Sequence, residues 1–186
     1  MEIFAAIDIE TTGLDVEQCE ILDIAVIPLT TDFTIDTAIP EFTARIRAEH
    51  PDTAETQAMQ VNGLNPAEGK SRKEVAGELS RWLADCEIER LVPVAHNLEF
   101  DMKFIRRCFP VESKVFSHCG RDSMYLARAV NDIFRRETGE ELFPGTSLRV
   151  VRDVLGIAGE QTHHALDDAR DTAIAYRKML ERLTRN

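Results

Sequence analysis

The sequence predicts an α/β fold in which a mixed β-sheet carries helices on its faces. Two observations indicate this: stretches rich in Ile, Val, Phe and Thr come first along the chain, and stretches with helical spacing then alternate with short apolar strands. The chain has 186 residues, of which 44% are hydrophobic. This is enough to bury a core, and we expect a single domain over residues 1–186.

The first half is predicted to begin as a β-meander. Strands are expected at residues 3–10, at 21–29 and within 35–46, because each is apolar and bounded by short polar breaks. A short helix is expected within 51–61, ended by Asn62-Gly63. Ser71-Arg72-Lys73-Glu74 has the form of a capping box, and the apolar residues after it recur at helical spacing up to Cys86.

The second half is predicted to interleave strands and helices. An apolar strand at 91–95 leads into Asn97, which is a candidate cap for a helix carrying Phe100 and Phe104. A final strand is expected at 115–118, followed by a helix over 123–136. Ser147 is expected to cap a short helix through Leu155, and the last helix is predicted over 165–183.

Composition excludes several classes of function. The net charge of -11 speaks against sequence-independent electrostatic binding of long nucleic acids, but carboxylates that hold metal ions still allow a nuclease. We expect a cytoplasmic protein without membrane contact, because no apolar stretch approaches the roughly 20 residues that span a bilayer. The four cysteines lack the spacing of a zinc site or a disulfide framework.

Asp8 and Glu10 interrupt the first apolar strand. Side chains alternate along a strand, so both carboxylates point to one face, together with Phe4 and Ala6. Two like charges one pleat apart repel, and a divalent metal ion is the simplest group that compensates them. The alternative is an edge strand whose outer face is in water.

Two further acids lie on apolar helix faces. Asp101 falls inside an arc of about 140° formed by the apolar side chains after Asn97; the alternative is a first-turn acid at the wet margin of the helix. In the last helix, Asp168 flanks the predicted core face at about 60° from Ala165, whereas Asp167 lies about 160° away and is expected to face solvent.

His163 lies in the loop just before the last helix, and it can approach the acid Asp168 only from that loop. A histidine there is suited to accept a proton near neutral pH. The alternative is that His163 and His164 are two solvent-exposed loop side chains.

Three segments together resemble the motifs of a known family. Asp8-Ile9-Glu10-Thr11-Thr12-Gly13, then His96-Asn97-Leu98-Glu99-Phe100-Asp101, then His163-His164-Ala165-Leu166-Asp167-Asp168-Ala169 resemble, in order and spacing, the exonuclease motifs of the DEDDh, or DnaQ-like, 3′-to-5′ exonucleases of the RNase H-like superfamily. That family includes polymerase proofreading subunits, RNase T and oligoribonuclease. The resemblance extends over nearly the whole chain.

The resemblance implies a three-layer RNase H-like fold with a mixed five-stranded sheet flanked by helices. It implies two ions, Mg²⁺ or Mn²⁺, held by Asp8, Glu10, Asp101 and Asp168, with His163 as the catalytic general base. It also implies hydrolysis from the 3′ end of single-stranded nucleic acid to nucleoside 5′-monophosphates, and we expect DNA to be slightly favoured over RNA. The residues implied to bind substrate are Thr11, Thr12, Gly13, Leu14, Asn97 and Phe100.

Two positions depart from the family pattern. His164 stands where the sister subclass carries a catalytic Tyr, and Asn62 stands where many relatives have His before Gly63. The expected partners are single-stranded DNA or RNA 3′ ends, and a DNA polymerase is a candidate partner. Two alternative functions stay open: a non-catalytic module that binds a polymerase or nucleic acid, and a phosphodiesterase acting on very short oligomers.

Overall fold

The computed structural model describes residues 1–184, so residues 185 and 186 of the predicted domain lie outside the described part. Five strands form one sheet in the order β3-β2-β1-β4-β5. The strands are β1 (Glu2–Thr11), β2 (Ile21–Leu29), β3 (Phe42–Arg45), β4 (Arg90–Ala95) and β5 (Arg121–Asp122). β2 pairs antiparallel with β1 and β3, whereas β4 pairs parallel with β1 and β5, so the sheet is mixed.

Six α-helices lie beside the sheet within residues 1–184. They are α1 (Thr56–Asn62), α2 (Arg72–Asp85), α3 (Leu98–Cys108), α4 (Ser123–Thr138), α5 (Leu148–Val154) and α6 (Ala165–Leu183). The predicted capping box at the start of α2 is confirmed, because Ser71 and Glu74 each accept a hydrogen bond from the other's backbone N–H. No helix within residues 1–184 is long and apolar enough to cross a membrane.

The alternation along β1 builds two apolar layers. Ala5, Ile7 and Ile9 pack on one face with buried side chains of α2 and α3. On the other face, Ala6 packs with Ala165 and further alanines of α6, and α4 and α5 pack against the outer side of α6. The predicted three-layer α/β fold with a mixed five-stranded sheet is therefore confirmed.

The predicted final strand at 115–118 is wrong. That segment begins with a 3₁₀ turn, Glu112–Val115, and makes a single bridge to β4 through Phe116 and Leu91. Continuous pairing with β4 begins only at Arg121, because the backbone turns away after Ser117 N–H donates to Leu91 O over 2.7 Å. The observed strand, β5, is two residues long, and its pairing with β4 defines it rather than an apolar periodicity of its own.

The predicted cap of α3 is also wrong. Asn97 adopts a left-handed conformation (φ 77°), and its side chain makes no capping bond within the described residues. Asp122 at the end of β5 caps the helix instead, since its Oδ2 accepts from Leu98 N over 2.9 Å. Its Oδ1 also accepts from Met124 N over 2.9 Å, so one carboxylate caps α3 and α4 together.

Candidate active site

β1 delivers two acids to the face that α6 covers. Asp8 and Glu10 alternate in step with Ala6, which packs against α6. Glu10 pairs across the strands with Asp23 of β2, and a bulge separates Glu10 from Thr11. Both β1 acids are half-buried, so the edge-strand alternative, with a fully wet outer face, does not describe them.

Two helices bring their first turns to the same edge of the sheet. β1 and β4 run parallel, so their carboxyl ends meet at one edge, and α3 starts directly after β4. Asp101 in the first turn of α3 and Asp168 in the first turn of α6 are each 4% exposed. The Asp167 side chain is 48% exposed, so the helical projection assigned the adjacent acids to the correct sides.

Three side chains form a group able to hold a metal ion. Glu10, His163 and Asp168 place one ligand atom each within 4.8 Å of one another. His163 Nδ1 is 4.0 Å from Asp168 Oδ2. Within residues 1–184, Asp8 and Asp101 fall outside this close group, although the Asp101 charge acts on Glu10, and the Glu10 and Asp168 charges act on Asp8.

The acids of β1 hold their protons unusually tightly in the absence of metal. Burial raises the pKa of Asp8 well above its usual value, and the charges of Asp101 and Asp168 raise it further. Burial also raises the pKa of Glu10 to about 8, with the Asp168 charge as the next cause. The cluster therefore favours either protonation or a bound cation.

The two helix acids show the same trend. Burial raises the pKa of Asp101 well above its usual value. Burial also raises the pKa of Asp168, while the Gln161 amide and the His163 charge act in the opposite direction. Four acids with raised pKa values from three elements thus converge on one edge of the sheet.

The two histidines before α6 have different surroundings. His163 adopts a left-handed conformation (φ 53°), and its side chain is 40% exposed. His164 is exposed; its backbone oxygen accepts from the N–H groups of Asp167 and Asp168, over 3.0 Å each. Of the pair, only His163 belongs to the close group of ligand atoms.

The six predicted substrate-binding residues separate into two sets. Leu14, Asn97 and Phe100 line one cleft of about 360 Å³, and Leu14 is 77% exposed. Thr11, Thr12 and Gly13 are buried. Thr11 Oγ1 donates to Gly13 O over 2.7 Å, and Thr12 Oγ1 accepts from Glu20 N over 2.8 Å, so these hydroxyls shape the end of β1.

The end of β1 is supported by a glutamate that sequence reasoning missed. Glu55 N–H donates to Thr12 O over 2.7 Å, and the Glu55 carboxylate accepts from Leu14 N over 3.2 Å. A Cβ at Gly13 would overlap this carboxyl group and Cys19 Sγ, so a larger residue here would displace the Glu55 side chain from Leu14 N. No local sequence pattern marks Glu55, because its contacts span about forty residues.

Asn62 has a structural position beside the site. It is buried, its Nδ2 donates to Thr11 O over 3.1 Å, and its Oδ1 accepts from Leu64 N over 3.0 Å. This departure from the family pattern therefore supports the end of β1.

Three other neighbours of the site were missed. Gln161 Nε2 donates to Asp168 Oδ2 over 2.6 Å, and Asp23 is a buried acid opposite Glu10. Asp122 supports the start of α3. The sequence did carry a signal for Asp23, because it is the single acid within the otherwise apolar stretch 21–29. It carried no signal for Gln161.

The donor set fits a divalent cation. Asp168 Oδ1 is buried and has no hydrogen-bond partner among residues 1–184, which is costly for an acceptor that binds nothing. Carboxylate oxygens are ligands of hard divalent cations, and an imidazole nitrogen is a common ligand of transition-metal ions.

Comparison with known proteins agrees with this geometry. A family model described as exonuclease, of the RNase T type, matches residues 5–176. The chain belongs to this exonuclease family. The prediction of a DnaQ-like nuclease of the RNase H-like superfamily is thereby confirmed, and divalent metals are the general cofactors of such enzymes.

Curated relatives of the chain are bacterial DNA polymerase III proteins. The chain is 30% identical over 182 residues to a DNA polymerase III PolC-type of Thermotoga maritima, covering 96% of this chain and 12% of that protein. It is 29% identical over 193 residues to the DNA polymerase III subunit epsilon of Aquifex aeolicus, covering 97% and 81%. The chain thus spans a small part of the PolC-type relatives and most of the epsilon subunit.

Solved structures share the fold. Escherichia coli exonuclease I in complex with a dT13 oligonucleotide has a TM-score of 0.75 at 17% identity, covering 98% of this chain and 42% of that chain. The cell-death related nuclease 4 (CRN-4) has a TM-score of 0.69 at 15% identity, covering 97% and 64%. These similarities establish the architecture.

Proposed function

We propose that this chain is a metal-dependent 3′-to-5′ exonuclease that removes nucleoside 5′-monophosphates from the 3′ end of single-stranded nucleic acid, with DNA slightly favoured over RNA. The observation that carries the proposal is the close group formed by Glu10, His163 and Asp168, with ligand atoms within 4.8 Å. Asp8 and Asp101 are the other two acids of the proposed site, and the charge of Asp101 raises the pKa of Asp8.

In this proposal, Asp8, Glu10, Asp101 and Asp168 hold two ions, Mg²⁺ or Mn²⁺. When bound, such ions polarise a phosphoryl group and lower the pKa of water. The raised pKa values of the acids mean that ions and protons compete for the same oxygens. Metal binding should therefore release protons.

His163 is the general base of the proposal. Its side chain is part-exposed beside Asp168, which leaves a ring nitrogen able to take the proton of an attacking water.

The cleft of Leu14, Asn97 and Phe100 is proposed to receive the terminal nucleotide. Leu14 and Phe100 supply apolar contacts to a base, and Asn97 supplies a polar contact. The buried Thr11, Thr12 and Gly13 hold the backbone that carries Leu14 in place. Stacking on such surfaces tolerates any base, which suits a trimmer of mixed sequences.

The relatives support the wider proposal. A DNA polymerase is a proposed partner because the curated relatives are DNA polymerase III proteins. A single-stranded DNA substrate is proposed because exonuclease I of the same fold binds a dT13 oligonucleotide. Residues 1–186 are proposed to act as one exonuclease domain in the cytoplasm.

The deciding experiment uses matched DNA and RNA strands labelled at the 5′ end. With Mn²⁺, the wild-type protein should shorten them from the 3′ end and release 5′-monophosphates, and EDTA should stop the reaction. Asp8→Asn should abolish hydrolysis while leaving the metal-free protein at least as stable, and Asp167→Asn is the matched control on a half-exposed acid. A wild-type protein that leaves both strands intact in Mn²⁺, or an active Asp8→Asn, would refute the proposal.

A substrate-length series in the same assay tests the two alternatives. Activity confined to the shortest oligomers would favour the phosphodiesterase, and binding without cleavage would favour the non-catalytic module.

A further inference from the structure

Two side-chain hydrogen bonds fasten the loop before α6 to the first turn of that helix. Gln161 Nε2 donates to Asp168 Oδ2 over 2.6 Å, and Thr162 Oγ1 donates to Asp167 Oδ2 over 3.0 Å. The donors are adjacent in sequence, and so are the acceptors. The acceptors differ in surroundings, because Asp168 is 4% exposed whereas the Asp167 side chain is 48% exposed.

The Gln161 bond leaves the two oxygens of Asp168 in unequal states. Oδ2 accepts the amide and lies 4.0 Å from His163 Nδ1. Oδ1 is buried and has no hydrogen-bond partner within the described residues. The terminal torsion of an aspartate is soft, so a carboxylate without such a bond would rotate over a wide range.

We infer that Gln161 is a positioning residue for the divalent ion: its amide fixes the plane of the Asp168 carboxylate and keeps that ligand aimed at the ion site that it shares with Glu10, beside the proposed base His163. The inference rests on the proposed function, because it takes Asp168 as a metal ligand. Gln161 acts in this inference through Asp168 and not as a ligand of its own. Loss of a hydrogen-bond partner of a ligating carboxylate typically weakens metal binding by about 10- to 100-fold.

The loop that carries Gln161 and Thr162 also carries His163. A competing explanation is therefore that the two hydrogen bonds act by holding His163 in place. His163 has a left-handed backbone (φ 53°), a conformation that costs a non-glycine residue about 1 kcal/mol or more. Both loop bonds lie just before it in the chain. If they acted only by pinning the loop, breaking either one would have the same effect. If Gln161 acts on the ligand, only its bond matters for metal affinity.

The test measures Mn²⁺ binding directly, by electron paramagnetic resonance of the free ion, in the full chain. Gln161→Ala and Gln161→Met should bind Mn²⁺ about 10- to 100-fold more weakly than the wild type. Met keeps the length of the side chain without its donor, so it separates lost bonding from lost volume. Thr162→Ala is the matched control, and its Mn²⁺ affinity should equal that of the wild type. Hydrolysis by the Gln161 variants should recover as Mn²⁺ is raised.

The outcomes distinguish this inference from the proposed function. A wild-type protein that binds no Mn²⁺ would overturn the proposed function. Equal Mn²⁺ affinities of the wild type, Gln161→Ala and Gln161→Met would overturn the role of Gln161 and leave the proposed function standing. An equal loss of affinity in Thr162→Ala would overturn it in favour of loop pinning. Far-ultraviolet circular dichroism confirms that each variant is folded.

Discussion

Replacing Glu10 with Gln should stabilise the metal-free protein. The pKa of Glu10 is raised from 4.5 to about 8, so at pH 7 the folded protein keeps this proton and the unfolded chain has lost it. The folded state binds more protons, and its stability therefore falls as pH rises from 4.5 towards 8. At about 1.36 kcal/mol per pH unit, the loss reaches about 3 kcal/mol at pH 7 and about 1 kcal/mol at pH 5.

Glutamine imitates the protonated carboxyl group but cannot ionise in the unfolded chain, so Glu10→Gln should recover this free energy. Urea unfolding in EDTA should show the variant more stable by about 3 kcal/mol at pH 7, with the gain shrinking to about 1 kcal/mol at pH 5. Glu140→Gln at an exposed position is the control, and it should change stability by no more than about 0.5 kcal/mol. A Glu10→Gln protein no more stable than the wild type at pH 7 would refute the electrostatic account.

Two further predictions concern stability. Mn²⁺ or Mg²⁺ at a hundredfold excess over its dissociation constant should increase the free energy of unfolding by about 2.7 kcal/mol. Differential scanning fluorimetry should show this as a rise of roughly 5 to 10 °C in the melting temperature, and identical melting curves in Mn²⁺ and EDTA would contradict the prediction. Asp122→Ala removes the cap of both α3 and α4 and should lower the free energy of unfolding in urea by about 2 kcal/mol. Ser147→Ala, which removes the cap of α5 alone, is the control and should lower it by about 1 kcal/mol. Equal losses in the two variants would show that Asp122 caps only one helix.

Periodicity was a reliable guide where an element carries one clear apolar face. The strand period placed Asp8 and Glu10 on the side of Ala6, and the helical period separated buried Asp168 from half-exposed Asp167. These assignments depend only on local geometry, because side-chain direction repeats every two residues in a strand and every 3.6 in a helix.

Local patterns misled where a distant residue decides the conformation. Asn97 is a residue type that commonly caps helices, yet Asp122, at the end of another strand, accepts the capping hydrogen bond of α3. The segment at 115–118 has the composition of a strand, yet pairing with β4 is continuous only at Arg121 and Asp122. In both cases the residue that decides the conformation is about 25 residues away or belongs to another strand. A short window of sequence therefore does not contain it.

The amino-acid sequence by itself determined the α/β class, the family, and which acids face the interior, because motifs and periodicity are local and survive without knowledge of packing. Only the tertiary structure decided that Glu10, His163 and Asp168 form one close group. It also decided that the Asp101 charge acts on Glu10 and that the Glu10 and Asp168 charges act on Asp8. It alone revealed the Gln161 amide on Asp168 and the buried Asp23 opposite Glu10. Distances and burial arise when strands and helices remote in sequence pack together, and electrostatic energies depend on both.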